Sequence, residues 1–301
     1  GFDFSAFWAR SGIWALMGDV SGPPAMPRSG QGDHVTALNL LAATLGALRM
    51  KEQTGEGQTV EVTLQRSGIW TIGVDVSVAV GFGWRDQALC VEQNDALIAA
   101  GRGSGGKIVP FCTVQPRAGA AAAREVERCA AAGCRGVGEL YPDGQAFAVD
   151  DLADVGPLLE VCRALRLPIL IHASEPVGHS YRGKGRTTPK RLDGLLRLAA
   201  DVPLILAHGG GGFAFYELMP EVAALTEQVY YDTAAAAYLY RPAAVARLHD
   251  LAPGRVLFGS DYRLLSQRRM LRYVREAGLS PEAAAAVLGG NAARLLGLPT
   301  A

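Results

Sequence analysis

The sequence predicts an α/β protein whose larger part is a (β/α)8 TIM barrel one unit short of complete. Three observations predict it. From about residue 73, short apolar strands alternate with Ala-rich helices, the pattern of a parallel sheet covered on both faces. Seven such units fit the roughly 200 residues available, one fewer than a barrel uses. Ionisable residues recur at the carboxyl ends of the strands, where barrels place their chemistry. An open, doubly wound sheet is the competing arrangement.

Residues 1–32 read as loop, because Gly and Pro interrupt them throughout (SGPPAMPRSGQG). The run HVTALNLLAATLGALRMKEQ predicts a helix over 34–53, with Asp33 as its N-cap and Gly55 as its stop. GQTVEVTLQ, at 57–65, predicts a strand. Beyond it, strands are predicted at 74–80, 107–114, 136–141, 168–172, 203–208, 229–232 and 255–258. Helices are predicted near 87–101, 119–133, 151–166, 189–201, 214–227, 241–250 and 265–276, with two more near 281–288 and 290–296. The change of texture divides the chain into 1–72 and 73–301.

Twenty-nine basic and 29 acidic side chains balance, which argues against nucleic-acid and anionic-membrane partners. No apolar run approaches the roughly 18 residues of a membrane span, and no secretory signal opens the chain. A cytoplasmic protein is expected. The first residue is Gly rather than Met, which suggests a fragment or a processed product. Five cysteines, with no C-x-x-C spacing, read as reduced and mostly buried thiols.

The chemistry gathers at strand ends. PILIHASEP ends a strand in His172, PLILAHGGGG ends the next in His208, RVLFGSDY brings Asp261, and GVGELYP carries Glu139. Two imidazoles with one or two carboxylates suit Zn²⁺ or another borderline divalent ion. Such an ion lowers the pKa of water, and a carboxylate can take the released proton. Each residue also has a plainer reading. Either histidine could be a hydrogen-bonded core residue, Asp261 could cap the helix after it, and Glu139 could pair with an arginine.

HASEPVGHSYRGKG, AHGGGGFAFYELMPEV, YYDTAAAAYLY, FGSDYRLLSQRRML and GGNAARLLGL make residues 73–301 resemble the amidohydrolase superfamily, in its amidohydrolase-related branch of decarboxylases and hydrolases. The resemblance implies a TIM barrel and a metal-dependent hydrolase or decarboxylase of a small organic substrate. It implies that His172 and His208 are metal ligands, and that Asp261 is a ligand or the general base. Glu175, His179 and Lys184, on the loop after His172, would face substrate. Two departures stand out. The family opens with a strand carrying His-x-His, and the five histidines here (34, 172, 179, 208, 249) form no such pair. The resemblance therefore implies that the first strand is missing. Arg263 also stands where the family usually has Pro.

ARSGIWALMGDVSGPPAMP, QGDHVTALNLLAATLGAL and KEQTGEGQTVEVTLQRSGIWTIG make residues 1–76 resemble the family III, formyl-CoA-transferase-like CoA transferases. In that family an Asp before the apolar helix becomes an aspartyl-CoA thioester, which is covalent catalysis by a carboxylate. The matching residue is Asp33, and a CoA thioester would be its partner. The word IGVDVS, at 72–77, fits both families, and no Pro/Gly/Ser linker separates them, so the junction reads as an accidental fusion. An inactive chimeric fragment is then a third expectation, beside the hydrolase and the CoA transferase. A barrel short of a strand would also leave unpaired edges. These invite homo-oligomers, or docking of the strand expected at 58–64 into the gap.

Overall fold

The computed structural model describes residues 3, 7–8, 29–64, 67, 80–104, 108–181, 183–199, 201–262 and 264–298. The chain forms two compact units, residues 1–77 and 78–301.

In the first unit, helix α1 spans Gln31–Thr54. It begins earlier than the sequence suggests. Gly30, in the left-handed region at φ 79°, is the N-cap, and the Asp3 carboxylate accepts its N–H at 2.7 Å. Gly32 packs so closely on Asp3 and Phe7 that no Cβ would fit. Asp33 is therefore not the cap; it stands exposed within the first turn. Gly55 ends the helix as expected, in the left-handed conformation. The strand expected at 57–65 does not form over 57–63, and Gln65 lies outside the described residues. None of residues 56–63 is buried, so the segment has no covered face on which a strand would pack.

The second unit follows the alternation read from the sequence. Helices α2 (Gln87–Gly103) and α3 (Ala120–Ala131) precede strand β1 (Val137–Leu140). Next come α4 (Pro142–Gln145), α5 (Leu152–Leu165), β2 (Ile169–Ile171), α6 (Pro189–Leu198) and β3 (Leu204–Leu206). A tight-turned stretch, His208–Leu218, leads into α7 (Pro220–Ala223) and β4 (Val229–Asp232). The chain continues through α8 (Ala236–Leu239), α9 (Ala243–Leu251), β5 (Val256–Leu257), α10 (Gln267–Arg275), α11 (Pro281–Ala285) and α12 (Asn291–Leu296).

The five strands pair in parallel, in chain order β1–β2–β3–β4–β5. Single bridges continue the order beyond β1, Cys112 to Val137 and Val80 to Phe111. Of the strand expected at 107–114, only residues 111 and 112 make these bridges; of that at 74–80, only Val80 is described. Neighbours that follow chain order without reversal are the progression of a barrel. A doubly wound sheet would reverse around its first strand. Apolar side chains from both layers fill the core, with Leu140, Ile169, Leu204, Leu206 and Tyr231 from strands packing with Leu158, Leu192, Leu195 and Leu196 from helices. The helix expected at 214–227 is broken. Four left-handed glycines at 209–212 turn the chain, and regular helix begins only at Pro220, whose fixed φ suits a first turn.

A buried asparagine ties this framework together. Asn94 Nδ2 donates to Thr113 O (2.9 Å) and to Glu125 Oε1 (2.7 Å), while its Oδ1 accepts Thr113 N–H (2.8 Å). It thus serves both backbone groups of a residue outside any regular ladder. Asn94→Ala would leave both unsatisfied in a dry site, and should lower unfolding free energy in urea by about 3 kcal/mol.

Candidate metal centre

Strand β1 brings Glu139 inward across an irregularity in its register with β2. Bulges of this kind re-aim a side chain. Gly138 is needed beside it, since a Cβ would lie 2.5 Å from Leu170 O. His172 directly follows β2, its N–H bonded to Leu140 O at 2.9 Å. His208 follows β3 with φ 59°, and its backbone N–H donates to Asp232 Oδ1 at 2.8 Å. The same carboxylate oxygen accepts Ala234 N–H at 2.9 Å, so buried Asp232 links the ends of β3 and β4.

Glu139, His172 and His208 bring one ligand atom each to within 4.8 Å of the others, a group that could hold a metal ion. Glu139 Oε1 lies 2.8 Å from His172 Nδ1 and 3.5 Å from His208 Nε2, and the two ring nitrogens are 3.1 Å apart. The outer ring nitrogens settle the protons. His208 Nδ1 faces Ala234 O at 2.9 Å, and His172 Nε2 faces Gly183 O at 3.0 Å. A carbonyl only accepts, so both outer nitrogens carry hydrogen. When neutral, both rings then present inner lone pairs to each other and to a carboxylate. Three acceptors this close need a cation among them, a proton or a metal ion. The donor set fits a divalent metal, and the outer hydrogen bonds are the supports that metal-binding imidazoles use.

The electrostatics agree. Burial works against charge on His208, but the hydrogen bond and charge of Glu139 outweigh it and push the imidazole up to about 10. Burial likewise opposes ionisation of Glu139, yet the two histidines hold its carboxyl well below the usual range. Burial raises Asp232 to about 6 against the pull of His208. Asp261, at φ 52°, is raised by burial and then by the charge of Glu139. It senses the centre without belonging to the three-residue group. Nor does it cap the next helix, because Ser266 does so by accepting Arg269 N–H.

The loop after His172 is internally bonded. Lys184 Nζ donates to Val177 O (2.6 Å) and His179 O (3.1 Å), and sits over the Tyr181 ring. His179 is exposed, its ring 5.6 Å from that of Tyr181. Glu175 accepts from two phenols, Tyr181 (2.9 Å) and Tyr240 (2.7 Å). Arg263 lies outside the described residues. Sequence reasoning missed Asp232 and Tyr141, whose ring lies tilted against that of His172 with the centroids 4.6 Å apart. The recurrence of ionisable residues at strand ends was signal enough for Asp232, since it closes β4. All five cysteines are buried and free. Among the described residues no helix is long and apolar enough to cross a membrane.

Fold and site together define a TIM-barrel protein with a histidine–carboxylate group at the carboxyl ends of its strands. Residues 72–298 match the amidohydrolase family, and the chain belongs to it. Residues 1–94 match CoA-transferase family III, so the two matches fit a chimera. Among solved structures, the chain is similar to 5-carboxyvanillate decarboxylase from Sphingomonas paucimobilis, with TM-score 0.61, 20% identity, and 71% of this chain and 73% of that one covered. It is also similar to a dihydroxybenzoic acid decarboxylase from Polaromonas sp. JS666, solved with manganese and the inhibitor 2-nitroresorcinol, with TM-score 0.58, 16% identity, and 87% and 94% covered. At such identities the likeness is one of fold. The (R)-2-hydroxy-4-methylpentanoate CoA-transferase of Clostridioides difficile is 38% identical over 79 residues, 26% of this chain. The chain spans about a fifth of the length of that curated relative.

Proposed function

We propose that the second unit is a metal-dependent hydrolase or decarboxylase of a small carboxylated or cyclic substrate, with a divalent ion held by Glu139, His172 and His208. The observation that carries this reading is the meeting of a carboxylate oxygen and two ring nitrogens, on imidazoles whose outer nitrogens both face backbone carbonyls. When bound, a divalent ion polarises a carbonyl or a water molecule and lowers the pKa of that water. Asp261 is the group proposed to carry the proton. Its carboxyl is held more basic than usual by burial and by Glu139, which suits a residue that accepts a proton and returns it. In hydrolysis it would take the proton of the attacking water; in decarboxylation it would deliver one to the carbon that loses CO₂. His179, exposed on the loop, and Lys184 are the candidates for substrate contact.

Zinc and manganese both suit this donor set, and the Polaromonas relative holds manganese, so both ions belong in the test. The missing first strand remains part of the proposal, supported by the lack of any His-x-His in the sequence. The test is metal content across a gel-filtration peak after chelator washing and reloading with Mn²⁺ or Zn²⁺. About one ion per chain is expected in a discrete peak, with affinity falling more than about 100-fold in His172→Ala and His208→Ala. A folded chain that takes up no stoichiometric metal would overturn the reading.

The CoA-transferase match favours a second reading for the first unit, in which Asp33 carries an acyl or CoA group. Incubation with an acyl-CoA and trapping by hydroxylamine would modify Asp33 if that chemistry operates, and would leave Asp33→Asn unmodified.

A further inference from the structure

The loop between β2 and α6 does two things at once. At one point it supplies the Gly183 carbonyl that sits 3.0 Å from His172 Nε2. At another it carries Glu175, whose two oxygens are divided between a tyrosine of the same loop and a tyrosine from a different part of the barrel. Tyr240 follows α8. Its own N–H is bonded to Ala236 O at 2.8 Å, and its carbonyl accepts from the Tyr273 hydroxyl of α10 at 3.3 Å. Glu175 therefore fastens the loop to a well-anchored neighbour. Inside the loop, Ser174 N–H donates to Thr187 O (3.0 Å), Gly185 N–H to Ser174 Oγ (2.9 Å), and Lys184 N–H to Tyr181 O (3.1 Å). These bonds connect residue 175 to residue 183 through a closed set of short links.

We infer that Glu175 is a positioning residue of the metal centre, acting through the loop to hold the Gly183 carbonyl against His172 Nε2 and so to aim the His172 Nδ1 lone pair at Glu139 and His208. The inference rests on the reading that these three residues hold a cation. It gives Glu175 a task other than contact with substrate. A carboxylate shared by two phenols makes charge-assisted hydrogen bonds, stronger than neutral ones. Burial, reinforced by Glu175, pushes Tyr181 up to about 12 and Tyr240 higher still, so both phenols stay protonated and keep donating. Without that clamp, the segment around Gly183 keeps its internal bonds and the anchor of Arg186 to Asp143, whose Oδ2 accepts the Arg186 N–H at 2.6 Å. It loses its tie to Tyr240, so the Gly183 carbonyl can draw away from His172 Nε2 and the proton there can move to Nδ1. An imidazole protonated at Nδ1 cannot ligate through that atom.

Two measurements on the whole chain test this. The tautomer of His172 in metal-free protein is read by long-range ¹⁵N–¹H NMR, and Mn²⁺ affinity by competition titration, with circular dichroism as the check on folding. In the unaltered chain His172 should report hydrogen on Nε2. Glu175→Leu should shift His172 toward hydrogen on Nδ1 and weaken Mn²⁺ binding by about 10- to 100-fold, the usual effect of losing an outer partner of a metal-binding histidine. Tyr240→Phe should do the same to a smaller degree, and it replaces Glu175→Leu should that variant fail to fold. Glu175→Gln, which keeps one acceptor oxygen, should fall between. Folded variants with an unchanged tautomer and affinity within about twofold of the parent would overturn the inference. If the unaltered chain binds no Mn²⁺, the metal reading fails, and the tautomer alone decides the positioning role: a shift supports it and no shift overturns it.

Discussion

Gly211→Ala should cripple the centre, whereas Gly212→Ala, one residue away, should be nearly harmless. Both glycines lie in the left-handed run after β3, at φ 59° and 88°. The conformational cost of a Cβ there is alike for the two, about 1–2 kcal/mol. The surroundings differ. A Cβ on Gly211 would lie 2.4 Å from Ser174 O and 2.7 Å from Ser174 C, while a Cβ on Gly212 would meet nothing within 4 Å. The obstacle is backbone, and it belongs to the residue two places after His172, so no side-chain rotation relieves it. Relief would come only from parting the His208 turn from the His172 loop, the two segments that bring the ring nitrogens to 3.1 Å. Gly211→Ala is therefore expected to lose about 2–5 kcal/mol of stability and more than about 100-fold in metal affinity. Gly212→Ala should lose about 1 kcal/mol and keep its affinity. Urea unfolding and Mn²⁺ titration of the pair decide it; equal effects in both would show that the contact with Ser174 is not what matters.

That contrast also marks where sequence reasoning reaches and where it stops. Glu139, His172 and His208 were legible because barrel geometry makes the end of a strand a special place, and each stands at or just beyond one. The strands themselves were legible from their apolar runs, although hydrogen-bonded pairing trims them, as at Leu204–Leu206 within the run expected at 203–208. What failed depended on contacts made by residues distant in sequence. Asp33 resembles an N-cap, but the helix start is set by Asp3, 27 residues before Gly30, which binds the N–H there. GQTVEVTLQ alternates well, yet none of residues 57–63 is buried, and alternation without a covered face does not hold a strand. The apolar stretch at 214–227 has helical composition, but glycines held left-handed by the turn after β3 delay regular helix to Pro220. The phenol clamp on Glu175 brings together residues far apart in sequence, which no local pattern announces.

A comparably large loss of stability is expected at the opposite end of the strands. Arg255 immediately precedes β5 and is mostly buried. Its guanidinium pairs with both oxygens of Glu217 and donates to Thr226 O and Val229 O, each at 2.8 Å. Glu217 also accepts the hydroxyl of fully buried Tyr231 at 2.6 Å. Arg255→Met would leave the Glu217 carboxylate buried with one phenol for company, and two carbonyls at the start of β4 without this donor. A stranded buried charge costs about 3–5 kcal/mol. Adding Glu217→Leu removes the stranded charge, so the double variant should be more stable than Arg255→Met alone, even though it lacks more of the native contacts. Urea unfolding of the four-member cycle reads the sign; a double variant less stable than either single would mean that packing rather than charge dominates. Metal affinity of the folded fraction should stay within about twofold throughout, because the pair holds the amino-terminal ends of β4 and β5 while the ligands stand at the carboxyl ends. A parallel loss of affinity would mean that the two ends of the barrel are mechanically coupled through strands only two to four residues long.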